Sequence, residues 1–346
     1  MLSMVERLWY GEDIGARAAR AALAPASWLY GAAIGVRAWR FDHSPNATLA
    51  SALPALSLGN ITVGGTGKTP VAAWAAAALQ ARGARPAVLL RGYGDDEPLV
   101  HARLNPSVPV IVDADRVRGA IHAREAGADC VILDDGFQHR RIARVSDWVL
   151  VSAERWRGDL RLLPAGPLRE PVGALARADI LLVTRKSAGL SAADRIAERF
   201  QEHLPMLRVA VCHLAFEALV NVRTQERQAV SWLSGRRIVA AAAVGDSAAF
   251  FAQLEAAGAR LDARPYRDHH GFTPADAAEL VAAADRRDGL VCTLKDAVKL
   301  APLWPANAAP LWYVSQIAVI ERGSAELDRA LATVLVARQA VTSTAG

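Results

Sequence analysis

From Leu53 onward, short apolar runs alternate with Ala-rich stretches of helical period, the pattern of βαβ units around a parallel sheet. LPALSL predicts a strand, and TPVAAWAAAALQARG predicts a helix closed by Gly83. The strand PAVLL follows, then VPVIV, a helix through RVRGAIHAREAG, and the strand CVILDD; WVLVSA and ADILLVTR extend the sheet. Around 203–235 the pattern changes, because HLPMLRVAVCHLAFEALVNVRTQE is strand-like with no intervening helix. That stretch predicts an extended, hinge-like crossing. A second α/β unit comes after it. RRIVAAAAV predicts a strand and DSAAFFAQLEAAG a helix ended by Gly258. TPADAAELVAAADRR predicts a helix with Thr273 as N-cap, Pro274 at the first helical position and Asp276 completing a capping box. GLVCTL and PLWYVSQ are the next strands, and a last helix begins near Ser324.

The amino-terminal segment has a different character. Between Arg20 and Arg37 runs the uncharged stretch AALAPASWLYGAAIGV, interrupted by Pro25 and shorter than the ~20 apolar residues of a spanning helix. Glu6, Glu12 and Asp13 precede it, where a signal peptide carries basic residues. Trp9, Tyr10, Trp28, Tyr30 and Trp39, interspersed with Arg17, Arg20, Arg37 and Arg40, favour a helix lying in a membrane interface. A core-packing helix hairpin broken at Pro25 is the alternative. The domain expectation is therefore a membrane-interface segment over 1–40, a P-loop domain over 41–212, and a smaller α/β domain over 213–346.

Composition narrows the function classes. Of 346 residues, 52% are hydrophobic and 22% charged, a globular balance. The net charge of +5 suits an acidic partner such as phosphate or anionic lipid. Nucleic acid is disfavoured, since no basic run interleaves with aromatics and no recognition-helix motif is present. Cys130, Cys212 and Cys292 each sit in an apolar strand-like run without a CxxC. Burial as small hydrophobes in a reducing compartment is the expectation, with chemistry on the cytosolic side.

Gly64-Gly65-Thr66-Gly67-Lys68-Thr69 follows one predicted strand and opens a predicted helix. Glycines let the backbone N–H groups close around phosphate oxygens at a helix N-terminus. Lys68 would reach the β- and γ-phosphates and the Thr69 hydroxyl would ligate Mg²⁺. The first glycine of the usual P-loop pattern is Thr62 here, followed by Val63. Val131-Ile132-Leu133-Asp134-Asp135 is an apolar strand ending in two acids, the place where a P-loop protein holds its Mg²⁺ shell. Either Asp134 or Asp135 could serve. These motifs alone define an NTPase or kinase and leave its substrate open.

Further segments resemble the tetraacyldisaccharide 4′-kinases, the lipid A 4′-kinases of Gram-negative bacteria. They are SLGNITVGGTGKTP, RGYG at 91–94, DEP at 96–98, DADR at 113–116, LDDGFQH at 133–139, RLLPAGPLREP at 161–171, DHH at 268–270 and KDAVKL at 295–300. The resemblance spans about residues 5 to 315. It implies transfer of the γ-phosphate of ATP, with Mg²⁺, to the 4′-hydroxyl of a tetraacylated glucosamine disaccharide 1-phosphate. It also implies a P-loop NTPase-like α/β domain joined by a strand-like hinge to a smaller α/β domain, and peripheral attachment to the cytoplasmic face of the inner membrane. No protein partner is inferred.

Position by position, the resemblance makes Asp96 the base and His269 its partner, with Lys68 and Arg169 serving the transferred phosphate. Thr62 through Thr69 and Arg116 would bind the nucleotide, and Arg91 and Tyr93 the lipid head group. Thr69, Glu97, Asp134 and Asp135 would lie around the metal. Asp95 and His270 stand as alternatives to Asp96 and His269. Three departures from the family pattern bear on this. Only Asp95 separates Gly94 from Asp96, where the family carries an insert; Leu294 replaces a common Glu; and AAAVGDSAAFF replaces a turn that usually bears glycine and proline. The competing class is a P-loop switch or metallochaperone-type GTPase, whose phosphate loop would look the same.

Overall fold

The computed structural model describes residues 4–92 and 96–343. Its strands form one 12-stranded sheet in the order β10-β9-β11-β12-β7-β6-β5-β1-β4-β2-β3, with β8 paired to β7 at the side. The first half holds β1 (Ala55–Asn60), β2 (Pro86–Leu90), β3 (Val110–Val112), β4 (Cys130–Asp134), β5 (Ser146–Ser152) and β6 (Ile180–Arg185), all parallel. The second half holds β9 (Arg237–Ala242), β10 (Arg260–Pro265) and β11 (Leu290–Thr293), again parallel. Strands β1, β2, β4 and β5 are buried on both faces, which explains their unbroken apolar runs in place of an alternating pattern.

Two long strands weld the halves together. β7 (Arg208–Asn221) pairs in parallel with β6 through its first residues and antiparallel with β12 (Leu311–Arg322) along most of its length. β8 (Arg227–Ala229) adds a short antiparallel partner. The hinge-like crossing expected near 203–235 is thus a strand shared by both halves. β12 runs well past the predicted PLWYVSQ, because Ile317 and Val319 alternate outward while Ala318 is buried beneath.

The chain ends back on the first lobe. α11 (Ser324–Ser343) buries Leu327, Ala330, Leu331 and Val334 in the cluster that contains Leu56, Leu58, Val71 and Trp148. This helix, which falls within the expected second domain of 213–346, packs with the P-loop domain, because β12 delivers the chain to that side of the sheet. The helices around the sheet follow their sequence signals closely. α4 (Lys68–Gln80) covers β1 and β4, and α6 (Arg116–Glu125) starts at Asp115, whose side chain caps Val117 N–H. α8 (Ser247–Ala256) and α9 (Pro274–Ala284) lie on the second half, and the Thr273–Asp276 capping box is present at α9. Three helices had no signal read from the sequence, α5 (Asp96–Leu104), α7 (Leu190–His203) and α10 (Leu294–Leu300), and neither did the strands β8 and β10.

At the amino terminus, α1 (Met4–Tyr10), α2 (Ile14–Ala22) and α3 (Ala24–His43) form a helical arm. The break falls at Leu23, and Pro25 sits in the first turn of α3, where its missing N–H costs nothing. The arm docks through polar bonds to the 161–171 segment: Trp9 Nε1 to Pro164 O, Ser27 Oγ to Leu162 O, and Tyr30 OH to Arg169 O. Its outward side carries Ile14, Trp28, Leu29, Val36 and Trp39, all exposed. No helix among the described residues is long and apolar enough to cross a membrane. All three cysteines are free and buried.

Candidate active site

The P-loop connects β1 to α4, as its sequence predicts. Gly64 and Gly67 adopt left-handed backbone, at φ 114° and 84°. Gly67 has a second reason to lack a side chain: a Cβ there would lie 2.2 Å from Leu214 Cδ1. The loop is held from inside by Asn60 Nδ2, which donates to Thr66 Oγ1, and by Thr184 Oγ1, which donates to Thr66 O. From outside, Val63 N–H donates to Pro167 O and Thr62 pairs with Leu168, so LLPAGPLREP forms one wall of the loop.

At the mouth of the loop, three charges meet. Lys68 Nζ lies 3.3 Å from Asp135 Oδ1, and Arg169 Nη1 donates to both carboxylate oxygens at 3.0 and 2.9 Å. Burial pushes the Asp135 carboxyl up, but Lys68 and Arg169 outweigh it and hold the group down at about 2. Asp135 therefore stays anionic across the working pH range. Its backbone is left-handed, at φ 54°, a conformation that costs a non-glycine residue energy and concentrates at functional sites. Arg116 lies buried behind this turn and donates to Asp134 O at 2.9 Å. Burial lowers its guanidinium to about 10, so it still carries charge.

Asp134 points inward. Its Oδ2 meets His101 Nε2 at 2.9 Å, while Oδ1 is buried with no hydrogen-bond partner. His101 lies on α5 and received no role from sequence; its only signal was its position one turn past DEP on a helix that the pattern did not reveal. Asp96 opens α5 and is 7% exposed. It faces the second lobe, where Lys299 of α10 comes within 3.3 Å of Oδ2, and the next residue, Glu97, pairs with Lys295 at 3.5 Å. Lys295 and Lys299 belong to the quoted KDAVKL motif, yet nothing in the motif announced what they would touch.

His269 lies on the second lobe at left-handed φ 59°, its N–H donating to Ala243 O and its ring 3.9 Å from Asp268 Oδ1. No hydrogen bond or ion pair joins it to Asp96 among the described residues. His270 is occupied elsewhere: its Nε2 meets Asp276 Oδ2 at 3.1 Å, and it stacks on Tyr266. Arg91 is exposed just past β2, and Tyr93 and the alternative Asp95 lie outside the described residues. His139 sits close by; burial, reinforced by the charges of Arg116, Arg91 and Arg37, lowers its imidazole to about 4 and keeps it neutral at physiological pH.

The second lobe reaches the P-loop through Lys186, which follows β6 in the first half. Lys186 Nζ donates to Gly65 O at 3.1 Å and lies 3.4 Å from Asp246 Oδ2, the N-cap of α8. Arg155 reaches Asp246 at 3.8 Å and binds Glu6 of α1 at 2.5 Å. Glu154 fixes Lys186 by accepting its backbone N–H along with those of Ser187 and Ala188. Burial would raise the Glu154 carboxyl, but these hydrogen bonds hold it below its ordinary value. Sequence reasoning missed this network because its members lie far apart in the chain.

A family profile described as tetraacyldisaccharide-1-P 4′-kinase matches residues 19–336. The chain belongs to the tetraacyldisaccharide 4′-kinase family. Relatives bearing that name include one from Anaeromyxobacter dehalogenans (strain 2CP-C), 37% identical over 96% of this chain and 95% of its own. Another, from Halorhodospira halophila, is 36% identical over 90% of this chain and 91% of its own. Among solved structures, LpxK from Aquifex aeolicus in complex with ATP superposes with a TM-score of 0.70 at 27% identity, covering 91% of this chain and 99% of that one. As a tetraacyldisaccharide 4′-kinase family member, the chain is an ATP-dependent kinase with a P-loop NTPase-like fold, and the sheet described above is that fold.

Proposed function

We propose that the chain transfers the γ-phosphate of ATP to the 4′-hydroxyl of a tetraacyl glucosamine disaccharide 1-phosphate. Beyond family membership, the observation that carries this reading is the convergence of Lys68 and Arg169 at the mouth of the P-loop. Two fixed cations meet there on a carboxylate that a triphosphate can displace. The residues of Thr62–Thr69 would bind the phosphates through their backbone, while Arg116 supports the Asp134–Asp135 turn from behind. Arg91 and Tyr93, beyond β2, would receive the head group.

The residues also fit Mg²⁺. Asp134 Oδ1 is a buried carboxylate oxygen without a partner, and Thr69 offers a hydroxyl on the first turn of α4. No three His, Cys, Asp or Glu side chains gather among the described residues, which suits an ion held by one or two carboxylates plus substrate phosphates. When bound, Mg²⁺ would neutralise phosphate charge. Asp134 and Thr69 would hold it, with Asp135 and Glu97 flanking once nucleotide draws Lys68, Arg169 and Lys295 away.

In the transfer itself, the sugar oxygen bonds to the γ-phosphorus as the bond to the β-bridging oxygen breaks and ADP leaves. Asp96 takes the hydroxyl proton. Lys68 and Arg169 spread the charge of the transferred group, and the second lobe, linked to the P-loop by the Asp246–Lys186 pair, would exclude water. The test compares ADP release with and without the lipid acceptor. Acceptor-dependent release supports the kinase; equal release without acceptor points to the P-loop switch.

The arm of α1–α3 is the membrane-binding element in this reading. Trp28, Leu29, Val36 and Trp39 line the outward side of α3, while its inward side is bound to the catalytic lobe. Binding then follows buried apolar area and attraction to anionic lipid. Trp28→Glu with Trp39→Glu should weaken co-sedimentation with anionic vesicles on the order of 10- to 100-fold. Because both side chains are exposed, the melting temperature should stay put. Unchanged sedimentation would place the membrane contact elsewhere.

A further inference from the structure

We infer that Lys299 is a positioning residue for phosphoryl transfer, holding the Asp96 carboxylate from the opposite lobe and tying it to the loop that carries His269. The inference rests on the reading of Asp96 as the base. Lys299 Nζ lies 3.3 Å from Asp96 Oδ2 and donates to His270 O at 3.3 Å. Asp96 Oδ2 is buried and makes no hydrogen bond. A carboxylate at that depth is costly to keep charged unless a cation faces it, and Lys299 supplies that cation.

The frame behind Lys299 gives the contact its direction. Asp296, one turn earlier on α10 and fully buried, accepts from Ala243 N–H at 3.0 Å and from Thr293 Oγ1 at 2.7 Å. The carbonyl of the same Ala243 accepts from His269 N–H at 3.1 Å. α10 and the His269 backbone are therefore anchored to one residue just past β9, and Lys299 reaches out from that anchor to Asp96. Lys295 and Lys299, four residues apart, share a face of α10 and meet the consecutive acids Glu97 and Asp96. Movement of the second lobe must carry the ammonium, the His269 loop and the aim of Asp96 together.

The experiment measures kcat, and KM for ATP and for the tetraacyldisaccharide acceptor, in Lys299→Met, Lys299→Arg, Asp96→Asn and the Lys299→Met/Asp96→Asn double variant. All assays run below the lowest melting temperature; Lys299→Gln takes the place of Lys299→Met if the latter does not fold. Lys299→Met should lower kcat on the order of 10- to 100-fold with KM for ATP unchanged. Lys299→Arg should regain most of that loss, and the double variant should be no slower than Asp96→Asn. A wild-type kcat in Lys299→Met, an arginine variant no better than methionine, or multiplicative losses in the double variant each overturn the inference and leave Asp96 as base. Near wild-type kcat in Asp96→Asn overturns the reading of Asp96 itself, and the role of Lys299 falls with it.

Discussion

Replacing Lys68 with alanine is expected to lower kcat on the order of 10³-fold or more while the protein keeps its fold. The ammonium is one of two cations fixed at the P-loop mouth, and charge on the transferred phosphoryl group has to be met by groups already in place. In the structure, Lys68 pairs with Asp135 at 3.3 Å. Arg169 holds the same carboxylate through both oxygens, so removing Lys68 leaves no bare buried anion behind. That is why the expected damage is to turnover and to nucleotide affinity, with little change in melting temperature. Arg169 cannot substitute for the lost lysine, since it approaches from the LLPAGPLREP wall and is anchored there by its own N–H to Ile61 O. Steady-state kinetics together with a thermal melt check the claim. Near-normal turnover in Lys68→Ala would remove the phosphate-binding assignment.

The second large effect is expected at Asp96. Asp96→Asn should cost ~10² to 10⁴ in kcat, the usual range for a positioned general base. Neither Asp96 nor His269 is placed at the P-loop, so KM for ATP should hold. His269→Ala should lose less, and the double variant should be little worse than Asp96→Asn if the two groups act as one unit. The structure explains why this pairing has to be tested in turnover. Asp96 is engaged with Lys299, while the His269 ring, about half exposed, rests near Asp268. Bringing the imidazole to the carboxylate requires movement of the second lobe or of the DHH loop. Fully multiplicative losses would show the two acting independently. A wild-type kcat in His269→Ala would turn attention to Asp268 or His270; His270, bonded to Asp276 and stacked on Tyr266, is the less available.

The features legible in the sequence are those whose signals are strong and short in range. The phosphate loop, the β4 strand ending in Asp134-Asp135 and the Thr273–Asp276 capping box all depend on neighbours within a few residues. Their types and spacing carried the meaning. α5 was invisible because DEPLVHARL is short and polar, with only Asp96, Val100 and His101 buried. Its helix is held by the ion pairs to α10 and by His101 on Asp134, partners more than 30 residues away by sequence. α11 shows the same limit in another form. The apolar spacing of Leu327, Leu331 and Val334 predicts a helix with a core face, but only the path of β12 decides which core receives it. The P-loop network of Lys186, Arg155, Asp246 and Glu6 likewise joins four segments that no spacing rule connects.

The amino-terminal arm was legible in kind but not in detail. The sequence groups its aromatics and arginines together, yet the structure divides them between two sides. Trp9 and Tyr30 bond to the catalytic lobe, and Arg20 closes the α1–α2 turn through Leu8 O and Gly11 O. Trp28 and Trp39 remain outward. The inward side of the arm packs on the catalytic lobe, and its exposed outward stripe is where the proposed membrane contact would lie. Deleting residues 1–40 would uncover the LLPAGPLREP wall as well as remove the outward stripe, which is why paired substitutions of exposed tryptophans are the cleaner probe.

The central claim is tested most directly by mass spectrometry of the lipid after incubation of the purified protein with Mg-ATP and tetraacyldisaccharide 1-phosphate. The account predicts a gain of one phosphoryl group on the acceptor, located at the 4′ position by fragmentation and absent with Lys68→Ala. An unmodified lipid in the presence of ATP consumption, or a phosphoryl group placed on another hydroxyl, would contradict it.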